Sequence, residues 1–263
     1  MRLARVRTAG GKILHGVVRG DSLDVIEGDL FGPRRESPSR VLPLKELRLL
    51  APIAPANLLC LGRNYRAHAA EGGGAPPKAP LLFIKATSCV IGPDDPIVIP
   101  SAAPGQVDFE AELAVVIGKP ARRVSEMDAL DCVLGYTCAN DVSARDCQAG
   151  DGQWSRSKSF DTFGPLGPWI ETELDPANLR IRGRLNGRTM QEANTSELIF
   201  SVRSVISYLS RGMTLLPGTV LLTGTPAGVG FARKPPVWLK PGDSYEVEIE
   251  GIGTLRNPVV ADS

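Results

Sequence analysis

Two glutamates separated by a single residue, Glu110 and Glu112, are the side chains of this 263-residue sequence best suited to chemistry. They lie in the segment 107–118 (VDFEAELAVVIG), whose apolar run predicts a buried β-strand. Side chains two positions apart on a strand project to the same face, so the two carboxylates should lie side by side. Such carboxylates repel each other unless a cation lies between them, and oxygen ligands suit a hard ion such as Mg²⁺. The alternative, that the pair lines a solvated strand face, stays open on spacing alone.

A third carboxylate, Asp141, comes at the end of a strand predicted over Tyr136–Ala139. Positions where a strand passes into a loop commonly carry functional side chains. Asp141 is therefore a candidate third metal ligand, and the alternative is that it caps the short helix predicted to follow.

A histidine and a glutamate three positions apart, His68 and Glu71, form a second candidate pair. The segment 63–71 has helical character, so the two side chains should be neighbours, and the carboxylate would orient the imidazole as a base. The glycines at 72–74 are suited to the hinge of a closing lid. The alternative is an ordinary pair on the surface of a helix.

Cationic and amide side chains form a third set, namely Lys85, Arg145, Gln148 and Lys158. Three carboxylates around one divalent ion leave a net charge near −1. An anionic substrate would then need lysine or arginine to offset the repulsion. Taken singly, each of these residues is equally compatible with a surface side chain or a structural ion pair.

Common catalytic motifs are absent from the sequence, which has no GxSxG elbow, no HExxH helix and no GxxxxGK[ST] loop. The segment 223–230 (TGTPAGVG) is rich in glycine but does not match GxGxxG. It predicts either a tight loop whose backbone approaches a ligand or a simple turn.

The elements that would position these residues are mostly short strands, which predicts an α+β, predominantly β fold. Residues 1–52 are predicted to form a small β-rich N-terminal domain with a polar linker at 32–39, and residues 53–263 the catalytic domain. A capping pattern at Ser125 and Asp128 predicts a helix ending near Gly135. A second pattern at Asn194 and Glu197 predicts a helix that runs to Gly212.

The composition argues against several classes of function. The net charge of +1 and the aromatic content of 5% give no reason to expect a nucleic-acid or membrane partner. Five cysteines without a CxxC pair fit a reducing compartment. The first residues carry arginine at positions 2, 5 and 7, where a signal peptide would be apolar. We therefore expect a cytoplasmic protein without a membrane span.

Together these segments resemble the fumarylacetoacetate hydrolase family over about residues 57–259. The segment 62–71 (GRNYRAHAAE) is similar to the family pattern G-x-N-Y-x-x-H-x-x-E, and 108–118 (DFEAELAVVIG) is similar to D-[YF]-E-x-E-L-x-V-V-I-G. The segments 140–146 (NDVSARD), 158–163 (KSFDTF) and 224–230 (GTPAGVG) also match the family. The N-terminal 50 residues resemble the short leader domain of bacterial members.

The resemblance implies a mixed β-sandwich roll, a homodimer and one Mg²⁺ or Mn²⁺ ion held by Glu110, Glu112 and Asp141. It implies His68 and Glu71 as the pair that activates water, with Lys158 as a third catalytic residue at the reacting carbonyl or carboxylate. The substrate-binding residues expected on this basis are Arg63, Tyr65, Lys85, Arg145, Gln148 and Thr225.

The expected substrate is a small 2-oxo or 2,4-dioxo carboxylic acid, and the first expected reaction is hydrolysis of a carbon–carbon bond in an acylpyruvate. Family members also isomerise or decarboxylate substrates related to 2-hydroxyhepta-2,4-diene-1,7-dioate, and others act as oxaloacetate decarboxylases or tautomerases. The sequence does not choose among these reactions. A homologue that binds metal with a structural or regulatory role is the alternative of another class.

Overall fold

Short alternating runs at the start of the chain form antiparallel strands, as their period of two predicts. The computed structural model describes residues 1–32, 34–71, 73 and 75–262, with only the backbone of 34–39. The first strands are β1 (Arg2–Arg7), β2 (Ile13–Arg19), β3 (Ser22–Gly28), β4 (Arg34–Pro43) and β5 (Arg48–Leu49). Their inward side chains form an apolar cluster of Ala4, Val6, Leu14, Val18, Leu23 and Val25.

The prediction of a polar linker over 32–39 is wrong for most of its length. Residue 33 lies outside the described residues, but the backbone from Arg34 onward pairs with β3 as β4. The pairing contains a register shift between Asp24 and Ile26. Backbone hydrogen bonds to a neighbouring strand therefore override the low strand propensity of a segment rich in proline and serine.

The strands in the rest of the chain are β6 (Asn57–Gly62), β7 (Leu81–Lys85), β8 (Val90–Ile91), β9 (Ile97–Ile99), β10 (Val107–Asp108), β11 (Ala111–Ile117), β12 (Val133–Asn140), β13 (Ser143–Ala144), β14 (Gly164–Glu171), β15 (Arg180–Leu185), β16 (Arg188–Asn194), β17 (Thr219–Leu222), β18 (Ser244–Ile249) and β19 (Gly253–Ala261). The helices are α1 (Arg66–Glu71), α2 (Arg145–Asp151), α3 (Ser155–Lys158) and α4 (Val202–Gly212).

The largest sheet runs in the order β4-β3-β2-β1-β14-β12-β11-β17-β6-β7. The N-terminal strands join it through β1, which pairs antiparallel with β14. The sheet is mixed, because β17 pairs parallel with β6 while β11 and β12 are antiparallel. Every residue of β11 is buried, as its continuous apolar run predicts.

A second sheet of order β16-β15-β18-β19-β9 packs against the first. The stacked rings of Phe109 and Tyr245, whose centroids lie 4.7 Å apart, join the two layers where β11 begins. The prediction of an α+β, predominantly β fold is confirmed. None of the helices in the described part of the chain has both the length and the apolar content of a membrane span.

The helix predicted from Ser125 to Gly135 is wrong. The Ser125 hydroxyl does bond to Asp128, accepting from its backbone N–H at 3.2 Å and donating to its carboxylate at 2.7 Å. However, the chain forms only a 3-10 turn over Ala129–Cys132 before β12 begins. The residues from Val133 onward pair with the adjacent strand β11. This pairing overrides the helix that the local capping pattern predicted.

The helix predicted from Asn194 begins later than expected. Asn194 and Glu197 form the reciprocal hydrogen bonds of a capping box, but they cap a 3-10 turn. The α-helix α4 starts at Val202, where the Ser201 hydroxyl accepts a hydrogen bond from the Ser204 N–H at 3.2 Å. A good cap therefore starts a turn, and an apolar stripe is needed to continue it as a helix.

Candidate metal centre and active site

Three carboxylates converge where β11 and β12 lie side by side. Glu110 immediately precedes β11, Glu112 lies within it and Asp141 follows β12 directly. The strands are antiparallel with Ala111 opposite Asn140, so the start of one meets the end of the other. One oxygen from each carboxylate lies within 4.8 Å of the others, and all three side chains are buried. The structure thus brings together the residues predicted as metal ligands.

The local path of the chain differs from the single strand predicted over 107–118. Residues 109 and 110 interrupt it, leaving β10 and β11 as separate strands. The Glu110 N–H donates to the Asn140 side-chain oxygen at 2.9 Å, and its carbonyl accepts from the Asp141 N–H at 2.9 Å. These bonds replace the regular ladder and bring Glu110 next to Asp141.

Buried cations hold two of the three carboxylates. The Lys158 ammonium donates to Glu110 at 2.8 Å and also to Asp141. Lys85 donates to the other oxygen of Asp141 at 2.5 Å and to the Phe163 carbonyl at 2.7 Å. Arg145 donates to Glu110 at 2.6 Å. These contacts fix the carboxylate oxygens in place before any ligand binds.

Glu112 is the carboxylate without an ion pair to any described residue. It accepts a hydrogen bond from the Gly224 N–H at 2.6 Å. Burial raises the pKa of Glu112 well above its ordinary value, and the neighbouring Asp141 and Glu110 carboxylates raise it further. Burial would raise the pKa of Glu110 as well, but Lys158 and Arg145 lower it below its ordinary value. Glu112 is therefore the carboxylate of the three whose ionised form has no cationic partner among the described residues.

The donor set fits a hard divalent cation. Around the cluster, four buried carboxylates face three buried cations, and the residues are Asp108, Glu110, Glu112, Asp141, Lys85, Arg145 and Lys158. The three converging carboxylate oxygens, with Glu112 lacking a cationic partner among the described residues, suit an ion such as Mg²⁺ or Mn²⁺.

His68 and Glu71 are neighbours on a helix, as their spacing of three residues predicted. His68 Nδ1 lies 3.2 Å from a Glu71 carboxylate oxygen on α1. Since a carboxylate only accepts, Nδ1 carries the proton and Nε2 remains free to exchange one. The other oxygen of Glu71 accepts from the Gly228 N–H at 2.7 Å. Of the predicted hinge at 72–74, Gly72 and Gly74 lie outside the described residues.

The glycine-rich segment 223–230 acts through its backbone N–H groups. Gly224 donates to Glu112, Gly228 to Glu71 and Gly230 to Asp108, the last at 2.7 Å. A Cβ atom on Gly230 would lie 1.9 Å from the Val237 carbonyl oxygen. This segment therefore positions side chains of the site, and only glycine fits where it passes closest to its neighbours.

A cavity of about 530 Å³ opens onto the cluster. The predicted site residues that line it are Arg63, His68, Glu110, Glu112, Arg145, Gln148, Lys158 and Thr225. Asp141, Lys85 and Glu71 are not on its wall, but each holds a residue of the site through the contacts described above.

Tyr65 does not line the cavity. It is 1% exposed, and its hydroxyl has no hydrogen-bond partner among the described residues. Burial raises its pKa, and the carboxylate of Glu112 adds to the rise. A substrate contact by Tyr65 has no support in this arrangement.

Thr225 and Gln148 lie on the wall with defined partners. The Thr225 hydroxyl donates to the Ala111 carbonyl at 3.0 Å and accepts from Gln191 at 2.7 Å. The Gln148 side-chain oxygen accepts from Arg145 at 2.9 Å, which leaves its amide group free to face a ligand.

Aromatic residues that the sequence did not single out form part of the wall, namely Phe83, Trp154, Phe231 and Trp238. The rings of Phe83 and Trp154 meet edge to face with centroids 5.4 Å apart. A Cβ on Gly62 would lie 2.3 Å from the Trp154 ring, so Gly62 makes room for this indole. The contacts join distant parts of the chain, and no local pattern could have indicated them.

The family model described as fumarylacetoacetate (FAA) hydrolase, C-terminal, matches residues 57–260. The chain belongs to the fumarylacetoacetate hydrolase family. A second model, described as Rv2993c-like, N-terminal, matches residues 1–52. The resemblance stated from the sequence motifs is therefore confirmed.

Relatives within the family carry different activities in their names. A mitochondrial oxaloacetate tautomerase of Xenopus laevis is 48% identical over 231 residues, which cover 86% of this chain and 72% of the relative. The crystal structure of a 2-hydroxyhepta-2,4-diene-1,7-dioate isomerase from Mycobacterium marinum matches with a TM-score of 0.89 and 43% identity, over 100% of this chain and 99% of its own. A fumarylacetoacetate hydrolase from Exiguobacterium antarcticum matches with a TM-score of 0.90 and 38% identity over both whole chains.

These likenesses support an enzyme of this family with the expected fold. The tautomerase and isomerase relatives are the more similar in sequence, so they favour the alternative reactions over the carbon–carbon hydrolysis expected first.

Proposed function

We propose that this protein interconverts the enol and keto forms of a short 2-oxo dicarboxylic acid such as oxaloacetate. The observation that carries the proposal is one cavity shared by a buried carboxylate cluster and a histidine with a free Nε2. The tautomerase relative, at 48% identity, supports the same reaction. Tautomerisation moves one proton from the enol oxygen to the neighbouring carbon C3, so it needs a proton carrier beside a polarised 2-oxo group.

Glu110, Glu112 and Asp141 are the residues that would hold the divalent ion. A bound Mg²⁺ or Mn²⁺ would supply Lewis-acid chemistry, which eases proton exchange next to a carbonyl group. The convergence of their oxygens, and the absence of an ion pair to Glu112 among the described residues, support this assignment.

His68 would exchange the proton at C3 through Nε2. Glu71 fixes the tautomer by accepting from Nδ1, and the Gly228 N–H in turn fixes Glu71. His15, the other histidine of the chain, belongs to β2 and does not line the cavity. His68 is therefore the imidazole available for this step.

Lys158 and Arg145 would hold the carboxylate of the substrate rather than move protons. Burial would lower the pKa of Lys158, but the Asp141 and Glu110 carboxylates raise it above its ordinary value. The pKa of Arg145 is raised in the same way, by Glu110 and Asp108 against the effect of burial. Both side chains thus stay charged and act as fixed positive charges.

Hydrolysis of an acylpyruvate is the second candidate, because the same His68–Glu71 pair has the arrangement of a base that activates water. The Exiguobacterium antarcticum hydrolase supports it at 38% identity. Isomerisation of a 2-hydroxydienedioate, supported by the Mycobacterium marinum relative, needs the same proton carrier as tautomerisation.

A panel of three substrates separates these reactions. Enol oxaloacetate, an acylpyruvate and 2-hydroxyhepta-2,4-diene-1,7-dioate are each followed by ultraviolet absorbance, with Mg²⁺ and with a chelator, and pyruvate release is assayed in parallel. The proposal expects metal-dependent loss of the oxaloacetate enol without pyruvate release from the acylpyruvate. Rapid pyruvate release with no change in enol decay would replace tautomerisation by hydrolysis.

A further inference from the structure

Gln191 lies on β16, the edge strand of the second sheet, and its side chain is buried. The amide oxygen accepts from the Ala111 N–H at 2.9 Å and from the Tyr245 hydroxyl at 2.7 Å. The amide nitrogen donates to the Thr225 hydroxyl at 2.7 Å and to the Pro226 carbonyl at 2.8 Å. These four bonds use the full capacity of the group. Its orientation is fixed, because a flipped amide would face a donor at Ala111 and an acceptor at Pro226.

Ala111 is the residue between the two glutamates that are candidate metal ligands. The ladder between β11 and β17 covers residues 114–116 and does not reach Ala111. Two side chains take the place of a neighbouring strand there. Gln191 accepts from the Ala111 N–H, and the Thr225 hydroxyl donates to the Ala111 carbonyl at 3.0 Å. Side chains therefore hold the backbone from which both glutamates project.

The amide nitrogen of Gln191 connects this backbone to the glycine-rich segment 223–230. Both of its acceptors, Thr225 and Pro226, belong to that segment. The backbone of the segment in turn donates to the carboxylates of Glu112 and Glu71. One side chain thus joins the strand that carries two candidate ligands to the loop that holds one of them from the other side.

The second sheet leaves space for this arrangement at Gly183 of β15. Gly183 lies opposite Gln191 in the pairing of β15 with β16. A Cβ atom on Gly183 would lie 2.1 Å from the Tyr245 hydroxyl and 3.1 Å from the amide oxygen of Gln191. A glycine within a strand commonly marks such a close approach of neighbouring groups.

We propose that Gln191 is a positioning residue of the metal centre, which holds Ala111 so that the adjoining carboxylates converge on one divalent ion. Gln191 does not line the cavity, so it acts through the backbone and not by contact with a substrate. Groups that hold metal ligands from outside commonly decide the affinity of the site. The inference rests on the part of the proposed function that assigns the ion to Glu110, Glu112 and Asp141, and it does not depend on the reaction.

The test is a calorimetric Mn²⁺ titration of the whole chain, with urea denaturation of each variant. Gln191→Met removes all four hydrogen bonds, whereas the control Tyr245→Phe removes the hydroxyl that donates to the same oxygen and leaves Gln191 on Ala111. We expect both variants to unfold at lower urea concentration. The affinity for Mn²⁺ should fall about 10- to 100-fold in Gln191→Met and stay at the wild-type value in Tyr245→Phe.

Gln191→Asn is the second variant, used if the methionine variant does not fold. It keeps an amide but is one methylene shorter, so it retains the polarity of the side chain without its reach. We expect it to lower the Mn²⁺ affinity about tenfold.

Two results would overturn the inference alone. One is wild-type Mn²⁺ affinity in Gln191→Met, or in Gln191→Asn where the methionine variant does not fold. The other is equal weakening by Gln191→Met and Tyr245→Phe, which would mean a general loosening between the two sheets. A wild type that binds no Mn²⁺ would overturn the metal assignment together with the inference. If the wild type binds Mn²⁺ through Gln191 but does not tautomerise oxaloacetate, the proposed reaction fails while this inference stands.

Discussion

The inner half of the site is held by buried ion pairs, whereas its outer half rests on one short helix, α1, and on Arg63, which follows β6. The inner half consists of Glu110, Glu112, Asp141, Lys85, Lys158 and Arg145. These side chains come from the sheet or from segments packed on it, and all are buried. Asp141 pairs with both Lys85 and Lys158, and Glu110 pairs with both Lys158 and Arg145.

The outer half consists of Arg63, His68 and Glu71. Among the described residues, His68 has a single side-chain hydrogen bond, to Glu71, and the Glu71 carboxylate has one more, from the Gly228 N–H. These residues are partly or fully exposed. The difference separates two tasks, because binding a cation needs fixed oxygens while moving a proton needs a side chain that can approach and leave the substrate.

The inner half should fail through stability, and Lys85→Met should have the largest effect. Lys85 is 1% exposed, and its ammonium group is one of the two that pair with Asp141. The variant removes this buried charge and leaves Asp141 with Lys158 alone as its cationic partner among the described residues. Removing one partner of a buried ion pair lowers the free energy of unfolding by about 3–5 kcal/mol. Urea denaturation measures this loss.

The control for Lys85→Met is Arg184→Met, which breaks a pair with Glu248 on the second sheet where both side chains are partly exposed. Such surface pairs contribute about 0–1 kcal/mol. Equal stability of the two variants would contradict the description of the inner half as a framework held by buried charges.

The His68–Glu71 pair of the outer half should fail through rate, and His68→Ala is its strongest test. Loss of the proton carrier should lower kcat about 10²- to 10⁴-fold. Metal binding should remain, since His68 holds none of the three carboxylates. Steady-state rates measure the loss of kcat, and a metal titration measures whether metal binding remains. His15→Ala is the control and should keep the wild-type rate.

Glu71→Gln should have the smaller effect of the two outer variants. The amide keeps the shape of the side chain but no longer offers a carboxylate to Nδ1 of His68. Glu71 is a positioning residue, so we expect kcat to fall about tenfold with little change in KM. A raised KM with unchanged kcat would instead place Glu71 in substrate binding.

The sequence was most informative where function depends on neighbours along the chain. Glu110 and Glu112 were predicted because side chains two apart on a strand share a face, and Asp141 because it follows a strand. His68 and Glu71 were predicted because residues three apart meet on a helix. The strand pattern of the fold was also predicted, since alternating and continuous apolar runs are local signals.

The sequence was least informative where distant segments meet. The capping pattern at Ser125 was satisfied without a helix, because β11 offered the following residues a strand partner. The contact of Trp154 with Phe83 and Gly62 depends on three separate segments. Tyr65 was expected at the substrate and is instead buried beside the site. Tertiary packing decides such positions, and no spacing rule encodes it.

The measurement that tests the central claim most directly is a calorimetric titration of the whole chain with Mn²⁺, repeated with Glu112→Gln. The account predicts one ion per wild-type chain and a loss of affinity of more than about tenfold in the variant, because Glu112 supplies one of the three converging carboxylate oxygens and glutamine cannot ionise. The absence of binding to the wild type, or equal binding by Glu112→Gln, would contradict it.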